Sequence, residues 1–419
     1  MERQYKDSGI EWIGRIPETW EVTKLNTLYT QRIEKVSDKD YPPLSVTMQG
    51  ILPQLENAAK TNNGDDRKLV RIGDFAINSR SDRRGSCGIS PYEGSVSLIN
   101  TILKPRNKMN PRYYNWLFHS SLFSDEFYKW GHGIVDDLWT TRWQEMRNIT
   151  VPSPTLEVQQ RIADYLDEKC GEIDSLIGLQ EQMIVKLKAY KQSVITEAVT
   201  KGLNPNAKLV PSGIDWIGEI PEGWIVTKIK SIAKTNSGST PRNISDSEYS
   251  TIIWIRTTDI NDDIVVDSSL HLTMEEYASA SCPMLDKGAC VVAMYGGGGT
   301  IGKSGYLDCH ATINQALCSM EVSNMYDSKY LFCVLRAIRY YWMKFAVGTR
   351  KDPNINQEIV KNMIVPLPPL EQQQVIATYL DSKCSEIDKL IDVKQQKIEK
   401  LKDYKKSVIY EAVTGKTIV

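Results

Sequence analysis

The sequence predicts a mixed α/β (α+β) protein in which two similar domains are separated by two long antiparallel coiled-coil helices and related by pseudo-two-fold symmetry. Three observations support this prediction. Two segments of the chain each occur twice, both copies of the longer segment have coiled-coil periodicity, and the stretches between them alternate β-branched and aromatic runs with turn residues. The 419 residues also exceed one ordinary domain of ~100 to 200 residues.

The internal repeats set the boundaries of the predicted segments. Residues 8–20 return as residues 212–224, and residues 151–200 return as residues 365–414 with 33 of 50 positions identical in a gapless comparison. Duplication of this kind predicts two copies of one structural unit. The predicted segments are a first variable block (1–150), a helical segment (151–204), a second variable block (205–364) and a second helical segment (365–419).

Each copy of the long repeat predicts a helix with a narrow apolar seam, because apolar residues recur at alternating steps of four and three. Prolines precede each helix, and Gly202 and Gly415 follow, as start and stop signals. Since the intervening block brings the chain back, we expect the helices to pack antiparallel and to fix the separation of the two blocks. The seam residues are Ile173, Ile177, Ile184, Leu187 and Val194 in the first copy, and Ile387, Ile391, Ile398, Leu401 and Val408 in the second.

The variable blocks have the composition of mixed α/β domains. Apolar runs such as residues 252–257 and 289–295 are bounded by Gly, Pro and Asn, which predicts short strands. Short helices are expected over residues 111–129 and 328–345, closing each block.

Composition narrows the classes of function. Charged residues make up 25% and hydrophobic residues 41%, as in ordinary globular proteins. Lys and Arg number 51 against 52 Asp and Glu, so any nucleic-acid partner must be recognised by local charge. We find no signal-peptide pattern and no apolar run of ~18 residues, so we expect a cytoplasmic protein without a membrane partner.

The cysteines and histidines do not indicate a metal site. The eight cysteines include no pair at the two-residue spacing of zinc sites, and the four histidines are dispersed. Cys309 and His310 are adjacent, and adjacent residues rarely bind one ion together. We therefore expect reduced thiols and no bound metal.

A basic segment in the first block is a candidate binding element. Six basic and two acidic residues lie between Arg67 and Arg84, a local net charge of +4. Residues 78–85 follow an apolar strand and offer guanidinium forks that match guanine edges and phosphates. A charged run is usually only a solvated surface, so this interpretation depends on the repeat architecture.

The second block contains a glycine-rich segment with the spacing of a phosphate-binding loop, residues 297–304. Such a loop needs a helix that begins at Lys303 and Ser304, so that backbone amides face the phosphates. The sequence continues instead as Gly305-Tyr-Leu-Asp-Cys, which is typical of a strand and turn. We therefore favour a hairpin, equivalent in position to the arginine-rich segment of the first block.

The repeated motifs resemble those of specificity subunits of type I restriction-modification systems, and the resemblance covers essentially the whole chain. The motifs are Trp12-Ile-Gly-Arg-Ile-Pro17 with Trp216-Ile-Gly-Glu-Ile-Pro221, Val151-Pro-Ser-Pro-Thr-Leu-Glu157 with Val365-Pro-Leu-Pro-Pro-Leu-Glu371, and Ile-Asp-x-Leu-Ile in each helix.

The resemblance implies that residues 1–150 and 205–364 are target-recognition domains that read the halves of a bipartite double-stranded DNA site. Two modification subunits would bind the helices and transfer a methyl group from S-adenosylmethionine to adenine. Restriction subunits would add ATP- and Mg²⁺-dependent translocation and cleavage. The candidate DNA-binding residues are Ser79, Arg80, Ser81, Arg83, Arg84 and Arg142 in the first block, and Arg256, Tyr295, Lys303, Arg350 and Lys351 in the second.

The chain itself carries no sign of catalysis. It lacks the Asn-Pro-Pro-aromatic motif of adenine methylation, and we find no nuclease or helicase signature. We therefore expect a non-catalytic subunit that binds no cofactor of its own. Two alternatives remain at this stage: a phosphate-loop nucleotide hydrolase centred on Lys303, and a helical scaffold that does not contact DNA.

Overall fold

The computed structural model describes residues 4–54, 64–106, 109–133, 139–242, 244, 248–280, 282–296, 299–349 and 352–419. The chain divides into two compact units. Unit 1 comprises residues 1–181 and 395–419, and unit 2 comprises residues 182–394. Each unit therefore combines one variable block with part of each long helix.

Unit 1 contains thirteen described strands and four short helices, followed by the start of the first long helix. The strands are β1 (Tyr5–Asp7), β2 (Arg15–Pro17), β3 (Glu21–Lys24), β4 (Tyr29–Arg32), β5 (Lys35–Val36), β6 (Leu44–Thr47), β7 (Gly50–Pro53), β8 (Arg67–Val70), β9 (Phe75–Asn78), β10 (Cys87–Ile89), β11 (Gly94–Val96), β12 (Asn100–Pro105) and β13 (Thr150–Ser153). The helices are α1 (Leu25–Leu28), α2 (Pro111–Phe118), α3 (Ser121–Lys129), α4 (Trp143–Met146) and the long helix α5 (Leu156–Lys201).

Unit 2 repeats this plan. Its described strands are β14 (Leu209–Pro211), β15 (Glu219–Pro221), β16 (Ile225–Lys228), β17 (Ala233–Ser237), β18 (Ile252–Ile255), β19 (Asp263–Val265), β20 (His271–Leu272), β21 (Cys290–Ala293), β22 (Ser304–Leu307), β23 (Thr312–Ile313), β24 (Leu317–Val322), β25 (Val347–Thr349), β26 (Asp352–Asn354) and β27 (Ile364–Leu367). Its helices are α6 (Ile229–Ile232), α7 (Met274–Ala280), α8 (Ser328–Ala337), α9 (Gln357–Asn362) and the start of the second long helix, α10 (Leu370–Val413).

The main sheets of the two units have the same strand order. In unit 1 it is β10-β9-β12-β4, and in unit 2 it is β22-β21-β24-β17, extended by β19 beyond β22. The central strands β9 and β21 are buried at every position, which explains why their sequences are continuous apolar runs rather than alternating ones. The α/β prediction is therefore confirmed.

The segments expected to close each block contain two helices rather than one. In unit 1 the chain breaks at Ser120, whose hydroxyl accepts from the backbone N–H of Phe123 and caps α3. In unit 2, α8 ends at Ala337 and a 3₁₀ turn follows over Tyr341–Lys344.

The two long helices pair antiparallel, as the sequence predicts. In unit 1 the Nζ of Lys405 lies 2.7 Å from a carboxylate oxygen of Asp174, and in unit 2 the Nζ of Lys191 lies 2.6 Å from Asp388. As the residue number on α5 rises from 174 to 191, the number of its partner on α10 falls from 405 to 388. This is the pattern of antiparallel helices. All ten predicted seam residues are buried or half-buried.

The helices also anchor each block through buried tyrosines. In unit 1 the hydroxyl of Tyr113 donates to the backbone oxygen of Val413, and in unit 2 the hydroxyl of Tyr330 donates to that of Val199. The main core of each unit includes residues from both long helices. Each variable block is therefore built onto the helices, rather than merely tethered to them.

Candidate nucleic-acid interface

A hairpin tip in unit 1 carries most of the candidate residues of the first block. The antiparallel strands β9 and β10 pair Ile77 with Cys87, and the segment between them, residues 79–86, is called here the first tip. Ser79 is buried, and its hydroxyl shares a hydrogen bond of 3.0 Å with Thr101, a position that disfavours direct contact with DNA. Arg80 follows it and is exposed. The side chain of Ser81 lies outside the described residues.

The backbone of Arg80 is held from several directions. Its N–H donates to the Asn78 side chain at 3.0 Å, its carbonyl accepts from the hydroxyl of Tyr128 at 2.9 Å, and it forms a β-bridge with Thr140. A guanidinium on such a fixed backbone starts from a defined position, which specific recognition requires.

The other two arginines of the first tip have partners nearby. Arg84 stacks over the ring of Tyr128, 4.7 Å from its centroid, and lies 3.5 Å from Asp125. Arg83 lies 3.5 Å from the carboxylate of the adjacent Asp82. All these charged groups are largely exposed, and exposed pairs are weak, so both arginines can still exchange their partner for a phosphate.

Arg80 and Arg142 line one cavity of about 370 Å³, called here the arginine cavity. Sequence reasoning missed two further members, Gln31 and Lys68. Burial lowers the pKa of the Lys68 ammonium, and the charge of Lys35 acts in the same direction. The cavity is lined by Gln31, Lys68, Ser79, Arg80, Leu98, Ile99, Thr101, Thr140, Arg142 and Trp143. None of these described lining residues carries a carboxylate, so this part of the site favours an electron-rich ligand.

The charge count of +4 between Arg67 and Arg84 overstates the basic surface. Arg67 is buried and donates to Ser95, so it serves the core of unit 1. Asp74 is also buried and pairs with Arg32 at 2.6 Å. Sequence spacing alone cannot separate a core arginine from a surface one on the same strand.

In unit 2 the glycine-rich segment connects two strands of a hairpin. Strands β21 and β22 are antiparallel and pair Val292 with Ser304, and residues 294–303 are called here the second tip. Ser304 begins a strand, and its N–H and hydroxyl both donate to Asp262. Because no helix begins at Lys303, the arrangement lacks the amides that a phosphate-binding loop requires. The predicted hairpin is confirmed.

Arg339 fastens the second tip. Its Nε lies 3.1 Å from Asp262, and its other nitrogens donate to the backbone oxygens of Ile301 and Gly299. Gly302 follows with a φ of +76°, and a Cβ there would lie 2.4 Å from Cδ1 of Trp342. The glycine therefore serves a left-handed turn and a close approach.

The remaining candidates of the second block differ in their surroundings. Arg256 donates to Asp259 and Ser269, so its guanidinium supports a turn. Tyr295 is 38% exposed, and Lys303 is half-buried. Arg350 and Lys351 lie outside the described residues.

Hydrogen bonding shows which positions of the two tips correspond. The backbone N–H of Thr141 donates to Ser79 in unit 1, and that of Ile355 donates to Met294 in unit 2, both at 2.9 Å. The next residues along each segment correspond in turn. Arg80 therefore matches Tyr295, Arg142 matches Asn356 at the start of the following short helix, and, from the strand registers, Gln31 matches Thr235.

These features define a class of protein. It has two domains of similar fold built onto one pair of long helices, and each domain carries a hairpin tip with different side chains. Among the described residues, no three His, Cys, Asp or Glu side chains form a potential metal site. No helix in the described part of the chain is long and apolar enough to cross a membrane. All eight cysteines are buried and unpaired.

The family comparisons agree with this class. Residues 221–403 match the family described as "Type I restriction modification DNA specificity domain". The chain is 27% identical to the Type I restriction enzyme MjaVIII specificity subunit of Methanocaldococcus jannaschii, covering 96% of this chain and 94% of that protein. It is 20% identical to the StySPI specificity subunit of Salmonella potsdam, with coverage of 96% and 90%.

Solved structures share the fold. A chain described under "complex assembly and conformational transition of the type I R-M system" superposes with a TM-score of 0.73 at 15% identity, covering 95% of this chain and 98% of that one. The HsdS subunit of Thermoanaerobacter tengcongensis gives a TM-score of 0.53 at 16% identity, with coverage of 96% and 98%. The resemblance to type I specificity subunits is confirmed, by the family model over residues 221–403 and by the relatives over nearly the whole chain. Neither the nucleotide hydrolase nor the DNA-independent scaffold gains support.

Proposed function

We propose that this protein selects the DNA site of a type I restriction-modification enzyme, with each unit reading one half of a bipartite sequence. One observation carries the proposal. The main sheet of each unit carries a hairpin tip at the corresponding position, yet the two tips have different side chains. A constant framework with different tips suits two domains that recognise different DNA sequences, because base edges are distinguished by side-chain donors and acceptors.

The long helices also support docking of two copies of one partner. On each unit's part of the helices, three apolar side chains that occupy repeated positions are at least 43% exposed. The sets are Leu176, Leu179 and Tyr404 in unit 1, and Leu390, Val393 and Tyr190 in unit 2. We infer that each set, called here a docking triad, binds one modification subunit, because exposed apolar patches mark interaction sites.

In this proposal the chain supplies recognition and the partners supply chemistry. The modification subunits bind S-adenosylmethionine and methylate adenine, and the restriction subunits use ATP and Mg²⁺ to translocate and cleave. The chain itself is non-catalytic and acts in the cytoplasm, where these partners meet DNA. The side chains that we assign to DNA contact are the accessible ones of the two tips, with Arg142 beside the first.

Mapping methylated adenines across the genome of the source cells, with and without this gene, tests the recognition role. We expect a bipartite motif that loses methylation when the gene is deleted. Exchange of residues 1–150 for the corresponding block of a relative should then alter one half of the motif only. Altered sequence in both halves would contradict modular recognition.

The docking triads have their own test in the assembled enzyme. We expect Leu176→Glu with Leu179→Glu to remove one of two modification subunits in native mass spectrometry, and Leu390→Glu with Val393→Glu to remove the other. Val185→Glu is the matched control, because Val185 is 66% exposed on the same helix but its repeat counterpart is Glu399. Full occupancy in both double variants would refute the triads.

A further inference from the structure

The arginine cavity of unit 1 has the chemistry of a guanine site, an inference that rests on the proposed function. Arg80 and Arg142 both reach it and are exposed. Within the described chain, neither guanidinium has an ion-pair partner, whereas Arg83, Arg84, Arg256 and Arg339 all have one. Two exposed guanidinium groups beside one cavity without a counter-charge create a positive potential that favours an electron-rich ligand.

Guanine is the base that such a site selects. Its major-groove edge presents two acceptors, N7 and O6, whereas adenine and cytosine present an amino donor and thymine presents a methyl group. A guanidinium has five N–H donors and no acceptor. It therefore satisfies guanine with two parallel hydrogen bonds and leaves an amino group of another base unmatched.

The two arginines are not equivalent. The backbone of Arg80 is fixed by Asn78, Tyr128 and Thr140, so its guanidinium starts from a defined position. Arg142 stands at the start of the four-residue helix α4, and its backbone bonds are all made within that helix, to Glu145 and Met146, rather than to other segments. A base contact demands the better-defined donor, while a phosphate accepts a cation over a wider range of positions.

We infer that Arg80 reads a guanine in the half-site of unit 1, while Arg142 binds a flanking phosphate. Lys68 adds positive potential from the cavity wall, where its ammonium donates to the backbone oxygen of Asn100 at 2.6 Å. The corresponding positions in unit 2 are Tyr295 and Asn356, which carry no guanidinium. At these described positions the arginine-based preference for guanine thus belongs to the half-site of unit 1.

The test uses the complete enzyme with its modification subunits and measures adenine methylation on DNA libraries randomised in both half-sites. In Arg80→Ala we expect one guanine position of one half-site to lose discrimination by roughly 5- to 150-fold, the value of a bidentate contact. Arg80→Lys should lose the same discrimination, because an ammonium is a point charge without the planar fork. The other half-site should be unchanged in both variants.

Arg142→Ala separates phosphate binding from base recognition. It should weaken binding alike on all sequences and reduce the slope of log affinity against log salt by about 1. Arg147→Ala is the matched control, since Arg147 is exposed at the far end of α4 and outside the cavity lining. It should leave both the motif and the salt slope unchanged.

Three outcomes would overturn the guanine assignment. They are unchanged discrimination in Arg80→Ala, full restoration of discrimination by Arg80→Lys, and relaxation at a position that is not guanine. Failure of the proposed function looks different, because the wild-type enzyme would then methylate no bipartite motif at all. Circular dichroism of each variant establishes that the fold is retained before methylation is compared.

Discussion

The first and second tips occupy corresponding positions in their sheets, but their nearby arginines have different roles. In unit 1 the arginines of the tip point at solvent or at weak, exposed partners. In unit 2 the arginine that contacts the tip, Arg339, is only 11% exposed in its side chain and is committed to Asp262 and two backbone oxygens. The same residue type is thus available for ligand binding in one unit and stabilises the tip in the other.

The difference follows from the local backbone structure of each tip. The first tip is a short 3₁₀ turn over Ser81–Arg83, which forms local hydrogen bonds. The second tip is rich in glycine, so its backbone has more freedom to lose on folding. A buried arginine that binds two of its carbonyls offsets this cost. The first tip can therefore present its arginines to a ligand, whereas the arginine that contacts the second tip is used to stabilise it.

Substitution of the corresponding glycines of the two tips, Gly85 and Gly302, should show the largest difference in the free energy of unfolding. Gly85 and Gly302 each lie two residues before the paired start of the following strand, and both have positive φ, +73° and +76°. A Cβ on Gly85 meets nothing within 4 Å, whereas one on Gly302 clashes with Trp342. We expect Gly302→Ala to cost about 4 kcal/mol of unfolding free energy and Gly85→Ala about 1 kcal/mol.

Native-state hydrogen exchange on peptides of β22 and β10 measures the two costs separately, since each strand reports on its own unit. Equal losses in both variants would mean that the positive φ alone matters. The packing of Trp342 against the second tip would then be irrelevant to its stability.

Substitution of Arg339 should have the next largest effect on the free energy of unfolding. In Arg339→Ala, Asp262 loses a partner at 3.1 Å and the carbonyls of Gly299 and Ile301 lose their donors. We expect a loss of about 3 kcal/mol. Arg84→Ala in unit 1 removes only an exposed ion pair and a stacking contact and should cost less than about 1 kcal/mol.

Urea denaturation of both variants, followed by exchange in each unit, gives this comparison. A cost for Arg84→Ala as large as that for Arg339→Ala would contradict the assignment of recognition to one arginine and structure to the other. Arg336→Ala is a useful control, because Arg336 lies on the same helix end and stacks on Phe332 without contacting the second tip.

Much of the architecture could be predicted because repeated sequence implies repeated structure. The seam and the antiparallel helix pair follow from periodicity and from the repeat, and the β21–β22 hairpin follows from the run Gly305-Tyr-Leu-Asp-Cys, which is typical of a strand and turn. Once the strand pairing is known, the same reasoning makes Arg80 the counterpart of Tyr295. What these predictions share is that local spacing determines them.

The members of the arginine cavity could not be predicted in the same way. Gln31 and Lys68 reach it from β4 and β8, which are distant in sequence from Arg80 and Arg142. Arg67 and Lys68 are adjacent, yet one is buried against Ser95 and the other faces the cavity. Alternation along a strand decides this, but the sequence alone does not say which face is covered.

The smallest predicted effect concerns a feature in which the units agree. Lys405–Asp174 in unit 1 and Lys191–Asp388 in unit 2 are repeat counterparts, with N–O distances of 2.7 and 2.6 Å and similar exposure. Double-mutant cycles to alanine should give coupling energies of about 0.5 kcal/mol for each pair, as for partly exposed ion pairs. Because both pairs fix the alignment of α5 with α10, equal couplings would show that the two units differ at their tips and not in their frame. A coupling confined to one pair would instead place part of the difference between the units in the helices.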